Sequence, residues 1–453
     1  MIAPARVAAY EALSAVSAGN ADLPTAIAFA RDNLRDDRDR ALAAEIATGV
    51  QRWRAALDHL IVQFSKRSLD RLDFEVVEIL RMSAYQMLHL TRVPASAVVD
   101  DAVDLTRRAG KQSAGGFVNA VLREISRRRS KLPLPPRPAD PADRDAALAY
   151  LSITLSHPQW LAARWYDRLG FDAAEAWMRF NNTAAPLTLR VNRFKTTAAE
   201  LVERLARDEI HLRPARFAPD AFLVEEGYPL RSPASEQGLF VVQDEASQLV
   251  ALLASPNPGR RVLDTCASPG GKTTAIAAVM DGQGRLVACD VRARRIDLLR
   301  KTIATTGATN VRVVQADLLN ALPFSQPFDT VIVDAPCSGL GTLRRDPDIR
   351  WRRRETDLPA LAAAEGTMLQ HAAALVAPGG RLIYATCSSE PDENEAVVDM
   401  FLAGARDFTP VDARAIAPAL PPALVDSRGH LRTQPDRHEL EAFFGAVFER
   451  RNL

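Results

Sequence analysis

Three short blocks of this 453-residue sequence concentrate side chains able to do chemistry. They are Asp264-Thr265-Cys266-Ala267-Ser268-Pro269-Gly270-Gly271-Lys272-Thr273, Asp334-Ala335-Pro336-Cys337-Ser338-Gly339 and Ala385-Thr386-Cys387-Ser388-Ser389. A cysteine thiolate is a strong nucleophile near neutral pH, more so where its surroundings lower its pKa. Cys337 and Cys387 stand among polar and small residues, which argues for reactive thiols over packed ones. Cys289 sits in apolar sequence and reads as core. No two of the four cysteines are spaced as CxxC and no nearby histidine completes a zinc pattern, so the sequence predicts no metal site.

These blocks need a scaffold that brings them together, and the pattern around them supplies one. Short apolar runs at 261–264, 286–290, 311–315, 330–334 and 381–386 alternate with amphipathic helical stretches at 273–280, 294–305 and 359–376. Apolar strands alternating with helices imply a mostly parallel sheet covered on both faces. Ligands in such sheets bind beyond the carboxyl ends of the strands, where the strand order reverses. Each block follows the end of a strand. If the strands ending at Asp334 and Thr386 are neighbours, they lie about 4.8 Å apart and Cys337 and Cys387 share one cleft.

The first block is a cofactor loop. Its small residues let the backbone approach a ligand, and the helix that follows presents unpaired N–H groups. The GxGxxG of a dinucleotide site is absent. Gly271-Lys272-Thr273 fits the end of a phosphate-binding loop, but Cys266 stands where its first glycine belongs. S-adenosylmethionine remains. Asp290, at a strand end, is placed to take ribose hydroxyls, Asp317 the adenine amino group, and Asp334 the methionine end. A thiol beside a methyl donor suits methylation of carbon 5 of cytosine. That carbon becomes nucleophilic once a thiolate adds to carbon 6, and a carboxyl such as Asp334 can hydrogen-bond the ring edge. The residues alone do not rank Cys337 against Cys387.

The rest of the chain reads as three further parts. Residues 1–131 are almost wholly helical in period, with Ser96 expected to cap a helix after Pro94 and Gly115-Gly116 expected to break one. Residues 132–145 hold a proline-rich linker, LPLPPRPADPA. Residues 146–244 form a small α/β segment with strands at 187–191, 222–225 and 239–242, and 245–453 form the sheet domain. The formal net charge is only +1, so any basic surface is local. Two arginine-rich stretches are candidates for phosphate contact: Arg127, Arg128, Arg129 and Lys131, and Arg344, Arg345 and Arg350 with Arg352–Arg354. No apolar run reaches the length of a membrane span, the amino terminus shows no signal-peptide pattern, and reduced thiols fit a cytoplasmic chain.

DTCASPGGKT, DAPCSGLGTLRRDPDIRW and YATCSSEPDENE resemble the signature blocks of the Sun/Fmu, RsmB-type family of bacterial 16S ribosomal RNA cytosine-C5 methyltransferases. PLTLRVN at 186–192 and GLFVVQDEAS at 238–247 are similar to that family as well, and residues 1 to about 130 resemble the RNA-binding factor NusB. The resemblance implies a NusB-like helical domain, an RRM-like middle domain and a Rossmann-like methyltransferase domain. It implies that Cys266, Ala267, Ser268, Pro269, Gly270, Gly271 and Lys272, with Asp290, Asp317 and Asp334, bind S-adenosylmethionine. It also implies that Cys387 is the nucleophile, that Cys337 assists release of the product, and that the partner is 16S ribosomal RNA. The family's closing Asp-Gly-Phe-Phe is replaced here by Glu441-Ala442-Phe443-Phe444. The competing readings are the same chemistry on transfer RNA, a non-catalytic RNA-binding assembly factor, and a nucleotide hydrolase using Gly271–Thr273.

Overall fold

The computed structural model describes Ile2 to Asn452. It divides the chain into two compact units, one of residues 1–184 with 343–355, the other of 185–342 with 356–453.

The regular structure of the first unit is helical. Its main helices are Pro4–Ser17, Leu23–Asp32, Asp37–Ser65, Phe74–His89, Ala95–Arg108 and Gly115–Arg127, followed by Arg144–Ala149, Gln159–Leu169 and Phe171–Asn181. The apolar residues of the first six of these helices converge on one core containing Leu13, Ile46, Leu57, Ile79, Leu105 and Leu122. Asp22 and Asp36 cap their helices by accepting backbone N–H bonds. Ser96 does not cap: the helix starts at Ala95 with Pro94 at its N-cap, and no side chain closes that end. Gly115-Gly116 does not break a helix either. Both lie in its first turn, where the N–H groups have no intrahelical partner and glycine costs least. The prolines of 133–141 run without regular structure. The helices from Arg144 to Asn181, expected in the middle segment, belong to this first unit.

The second unit begins with a four-stranded antiparallel sheet: β1 (Thr188–Val191), β2 (His211–Pro214), β3 (Ala221–Glu226) and β4 (Phe240–Val242), in the order β2-β3-β1-β4. β2 was not visible in the sequence because it is an exposed edge strand without apolar alternation. The larger sheet contains β5 (Arg261–Asp264), β6 (Arg285–Asp290), β7 (Val311–Gln315), β8 (Phe328–Asp334), β9 (Val376–Thr386), β10 (Phe408–Val411), β11 (Leu431–Arg432) and β12 (Phe444–Arg450). Its order is β10-β12-β9-β8-β5-β6-β7, with β11 on β12. β9 through β7 are parallel, and β10, β11 and β12 pair antiparallel.

Both faces are covered, as uniformly apolar strands require. Val262, Leu286, Ala288 and Ile332 pack on one side with Leu249 and Ile276. Leu263, Val287, Cys289, Val331 and Val333 pack on the other with Met368 and Leu369. The chain leaves β5 toward β6 and β7 on one side and toward β8 and β9 on the other. The crevice at this reversal opens between the ends of β5 and β8.

Candidate active site

At the end of β5, Asp264 is buried and accepts the Thr273 hydroxyl at 2.7 Å. Burial, reinforced by nearby Asp334, raises its carboxyl to about 7. The Thr273 bond pins the start of the helix Gly271–Val279 to the strand, and the loop turns between them at Gly270, whose φ of 105° favours glycine. The Ser268 N–H donates to Asp290 Oδ2 at 3.2 Å, tying the loop to the end of β6. Arg190 of β1 braces it from the small sheet, donating to the Gly271 carbonyl and, at 2.7 Å, to Thr274 Oγ1. Burial lowers Arg190 to about 10. Arg190 was not singled out from sequence, because its partners Gly271 and Thr274 are distant in the chain; Asp264 stands in the first sequence block, but without a role there.

Lys272 reaches Asp334 at the end of β8, Nζ to Oδ2 2.8 Å. Its ammonium also lies 5.5 Å from the centre of the Phe443 ring, a cation–π contact. β8 and β9 are neighbours with Asp334 opposite Ala385, and the Cys337 and Cys387 sulfurs are 3.4 Å apart. Hydrogen bonding to Cys387, then burial, then the charges of Cys387 and Glu393 push the Cys337 thiol well up, so Cys337 holds its proton. The charge of Cys387 is among the influences that raise Lys272, after that of Asp334.

The carboxy-terminal segment closes the site. The Gly341 N–H donates to the Cys387 carbonyl at 3.0 Å and the Ala442 N–H to the Gly341 carbonyl at 2.9 Å. A Cβ at Gly341 would fall 2.0 Å from the Ala442 carbonyl oxygen, so glycine is required there. Thr433 Oγ1 receives the Phe443 N–H at 2.9 Å and donates to the Glu441 carbonyl at 2.6 Å. The altered Glu441-Ala442 pair is therefore held through its backbone.

Three family models match in order: NusB family over residues 3–127, the ferredoxin-like domain of RsmF/B-like methyltransferases over 157–231, and 16S rRNA methyltransferase RsmB/F over 251–449. The chain is 33% identical to a probable ribosomal RNA small subunit methyltransferase B of Bacillus subtilis, across 84% of this chain and 83% of that one. It is 34% identical to ribosomal RNA small subunit methyltransferase B of Pseudomonas putida, across 89% and 90%. The chain belongs to the RsmB/F methyltransferase family. A solved methyltransferase homolog from Pyrococcus horikoshii superposes on it with TM-score 0.58 and 26% identity, covering 67% of this chain and 99% of that one.

As an RsmB/F-family methyltransferase, the protein depends on S-adenosylmethionine. The crevice residues fit that molecule chemically. Asp290 is buried, its carboxylate accepts backbone N–H groups of Ser268, Val291 and Arg292, and Arg295 Nε stands 3.6 Å from its Oδ2; a carboxylate has acceptor capacity beyond these for a diol. Asp317 is half-buried and organises its own turn, accepting from the Leu319 N–H at 3.0 Å and Asn320 Nδ2 at 3.2 Å.

The arginine clusters divide. Arg127 and Arg128 are exposed and pair with Glu124 on the same helix; Arg129 and Lys131 are exposed beside them. Arg344 donates to the Ala184 carbonyl at 2.8 Å and stacks over Phe180 at 4.4 Å, and Arg345 is half-buried. Arg350 corrects the expectation of a phosphate contact. It is 0% exposed in the helical unit and donates to the Ser156 carbonyl and Asn182 Oδ1, each at 3.0 Å. Burial lowers it to about 9. Among the described residues no cluster of His, Cys, Asp or Glu is arranged to hold a metal, and no helix is long and apolar enough to cross a membrane.

Proposed function

We propose that this protein methylates carbon 5 of a cytosine in 16S ribosomal RNA, in the cytoplasm, with Cys387 as nucleophile. The observation that carries the reading is the 3.4 Å pairing of two thiols beside the Lys272–Asp334 ion pair. S-adenosylmethionine supplies an electrophilic methyl group when Cys266–Lys272, Asp290, Asp317 and Asp334 hold it. The Cys387 thiolate adds to carbon 6 of the base, and the electrons of the 5,6 double bond make carbon 5 nucleophilic. Asp334 or its Lys272 partner hydrogen-bonds the ring edge. After carbon 5 is methylated its proton passes to water, the electrons of that C–H bond restore the 5,6 double bond, and the bond from Cys387 to carbon 6 breaks with its electron pair going to the sulfur. Cys337, which keeps its proton, donates it to the departing Cys387 sulfur. The ribosomal substrate follows the names of the Bacillus and Pseudomonas relatives. Exposed Arg127, Arg128, Arg129 and Lys131 supply phosphate contacts from the NusB-like helices.

The two cysteines give opposite results on a denaturing gel. Cys387→Ala abolishes methylation and forms no adduct even with 5-fluorocytosine RNA, which lacks the proton that must leave carbon 5. Cys337→Ala attacks and transfers but stalls, accumulating an S-adenosylmethionine-dependent adduct on ordinary RNA. The reverse pattern would exchange the two roles, and no adduct in any arm would end the covalent mechanism.

A further inference from the structure

The chemistry described so far leaves a buried carboxylate directly behind the cysteines without a role. Glu393 is wholly buried. Its Oε1 accepts the Ser338 N–H at 2.6 Å, and its Oε2 accepts the Ser338 hydroxyl at 2.5 Å and the Ser388 hydroxyl as well. Ser338 follows Cys337 and Ser388 follows Cys387, so one side chain joins the two loops one residue beyond the thiols. The hydroxyls themselves are 3.2 Å apart, which matches the spacing of the sulfurs.

The ladder between β8 and β9 ends at Asp334 and Ala385. Past that point the strand backbone no longer dictates how far apart the cysteines sit. The Glu393 segment is itself anchored. The Tyr384 hydroxyl lies 2.5 Å from the Glu393 carbonyl and 3.0 Å from Glu365 Oε2. Burial, then the charge of Glu393, raises Glu365 to about 9. Asn394 adds a bond from its Nδ2 to the Ser388 carbonyl at 3.1 Å and accepts the Thr386 hydroxyl at 2.5 Å. All three donors on Glu393 are directed at one carboxyl group out of water, where hydrogen bonds are costly to leave unmade.

We propose that Glu393 is a positioning residue: its carboxylate clamps Ser338 to Ser388 and thereby sets the separation of the Cys337 and Cys387 thiols. It touches neither base nor cofactor. Its effect on turnover rests on the cysteine roles proposed above, whereas its effect on thiol spacing does not.

The test reads spacing and turnover separately in the full-length protein. Dibromobimane becomes fluorescent when two thiolates each displace one bromide, and peptide mass spectrometry identifies the pair bridged. The wild-type protein bridges Cys337 to Cys387. Glu393→Gln keeps the volume but cannot accept from three donors, and both it and Glu393→Ala lower the bridging rate about tenfold or more. Single labelling of each thiol by monobromobimane persists in these variants. In methylation assays kcat falls about 100-fold while KM for RNA and for S-adenosylmethionine holds. The Ser338→Ala, Ser388→Ala double variant reproduces both effects. If Glu393→Ala does not fold, Glu393→Gln carries the measurement. Bridging at the wild-type rate in a folded Glu393→Gln protein would overturn the proposal. Full turnover by Cys387→Ala would instead remove the cysteine mechanism and leave the bridging result standing.

Discussion

Single carboxylates at the strand ends have separable jobs, set by what each touches. Asp290 accepts backbone N–H groups and retains lone pairs toward the crevice. Asp290→Ala therefore weakens S-adenosylmethionine binding by about 1.5–3 kcal/mol, the contribution of a hydrogen bond to a charged group. Isothermal calorimetry on a folded variant checks this, and unchanged affinity removes Asp290 from the site. Asp264 acts on the protein itself. Its folded value of about 7 lies above the ordinary 3.8, so the folded state binds the extra proton. That contribution to stability is complete below about pH 4 and is lost as pH rises toward 7, a difference of a few kcal/mol. Asp264→Asn cannot ionise, so its melting temperature falls less than that of the wild type between about pH 4 and pH 8. Parallel pH profiles would show that Asp264 does not titrate in this range. The motif residues at these positions were legible because side-chain type and spacing identify them. Which carboxylate binds ligand and which pins a helix depends on partners up to tens of residues away, such as Thr273 for Asp264 and Ser268 for Asp290.

The element that sequence reading placed least well is the segment from Leu343 to Glu355. Its arginines have the composition of an RNA-binding surface, yet it is built into the helical unit. Asp348 accepts the Leu23 N–H at 3.1 Å, Trp351 Nε1 donates to the Gln51 carbonyl at 2.6 Å, and Arg350 donates to the Ser156 carbonyl at 3.0 Å and the Leu343 carbonyl at 3.4 Å. Removing Arg350 leaves those acceptors and a cavity behind. Arg350→Ala destabilises the helical unit by about 3 kcal/mol and leaves the salt dependence of RNA binding unchanged. A thermal melt and a salt titration of the same variant check the two halves. A flattened salt slope with unchanged melting would restore Arg350 to the RNA surface. The strands that were readable, β5 to β9, carry runs of buried apolar residues because both faces of the sheet are covered. β10 and β12 were not read from sequence, and β2 and β11 escaped because one is an exposed edge and the other is two residues long.

At the scale of the whole molecule, a net charge of +1 supplies no general attraction for RNA, so binding depends on local clusters. Replacing Arg127, Arg128, Arg129 and Lys131 with neutral residues flattens the dependence of log affinity on log salt by roughly three units. The loss is smaller for Arg127 and Arg128 to the extent that Glu124 already holds them. Filter binding across a salt series measures the slope, and no change would mark these side chains as solvated surface. The fold class, the alternation that builds the large sheet, the cofactor loop and both cysteines follow from local pattern, because period, turn residues and side-chain chemistry are properties of short segments. Distance between segments is not. Strand order puts β8 beside β9 and the sulfurs 3.4 Å apart. Packing buries Arg350 where composition predicts exposure, brings Arg190 from the small sheet to Gly271, and folds Glu393 behind both thiols. Burial and long-range partners decide each of these, and they exist only once the chain has closed on itself.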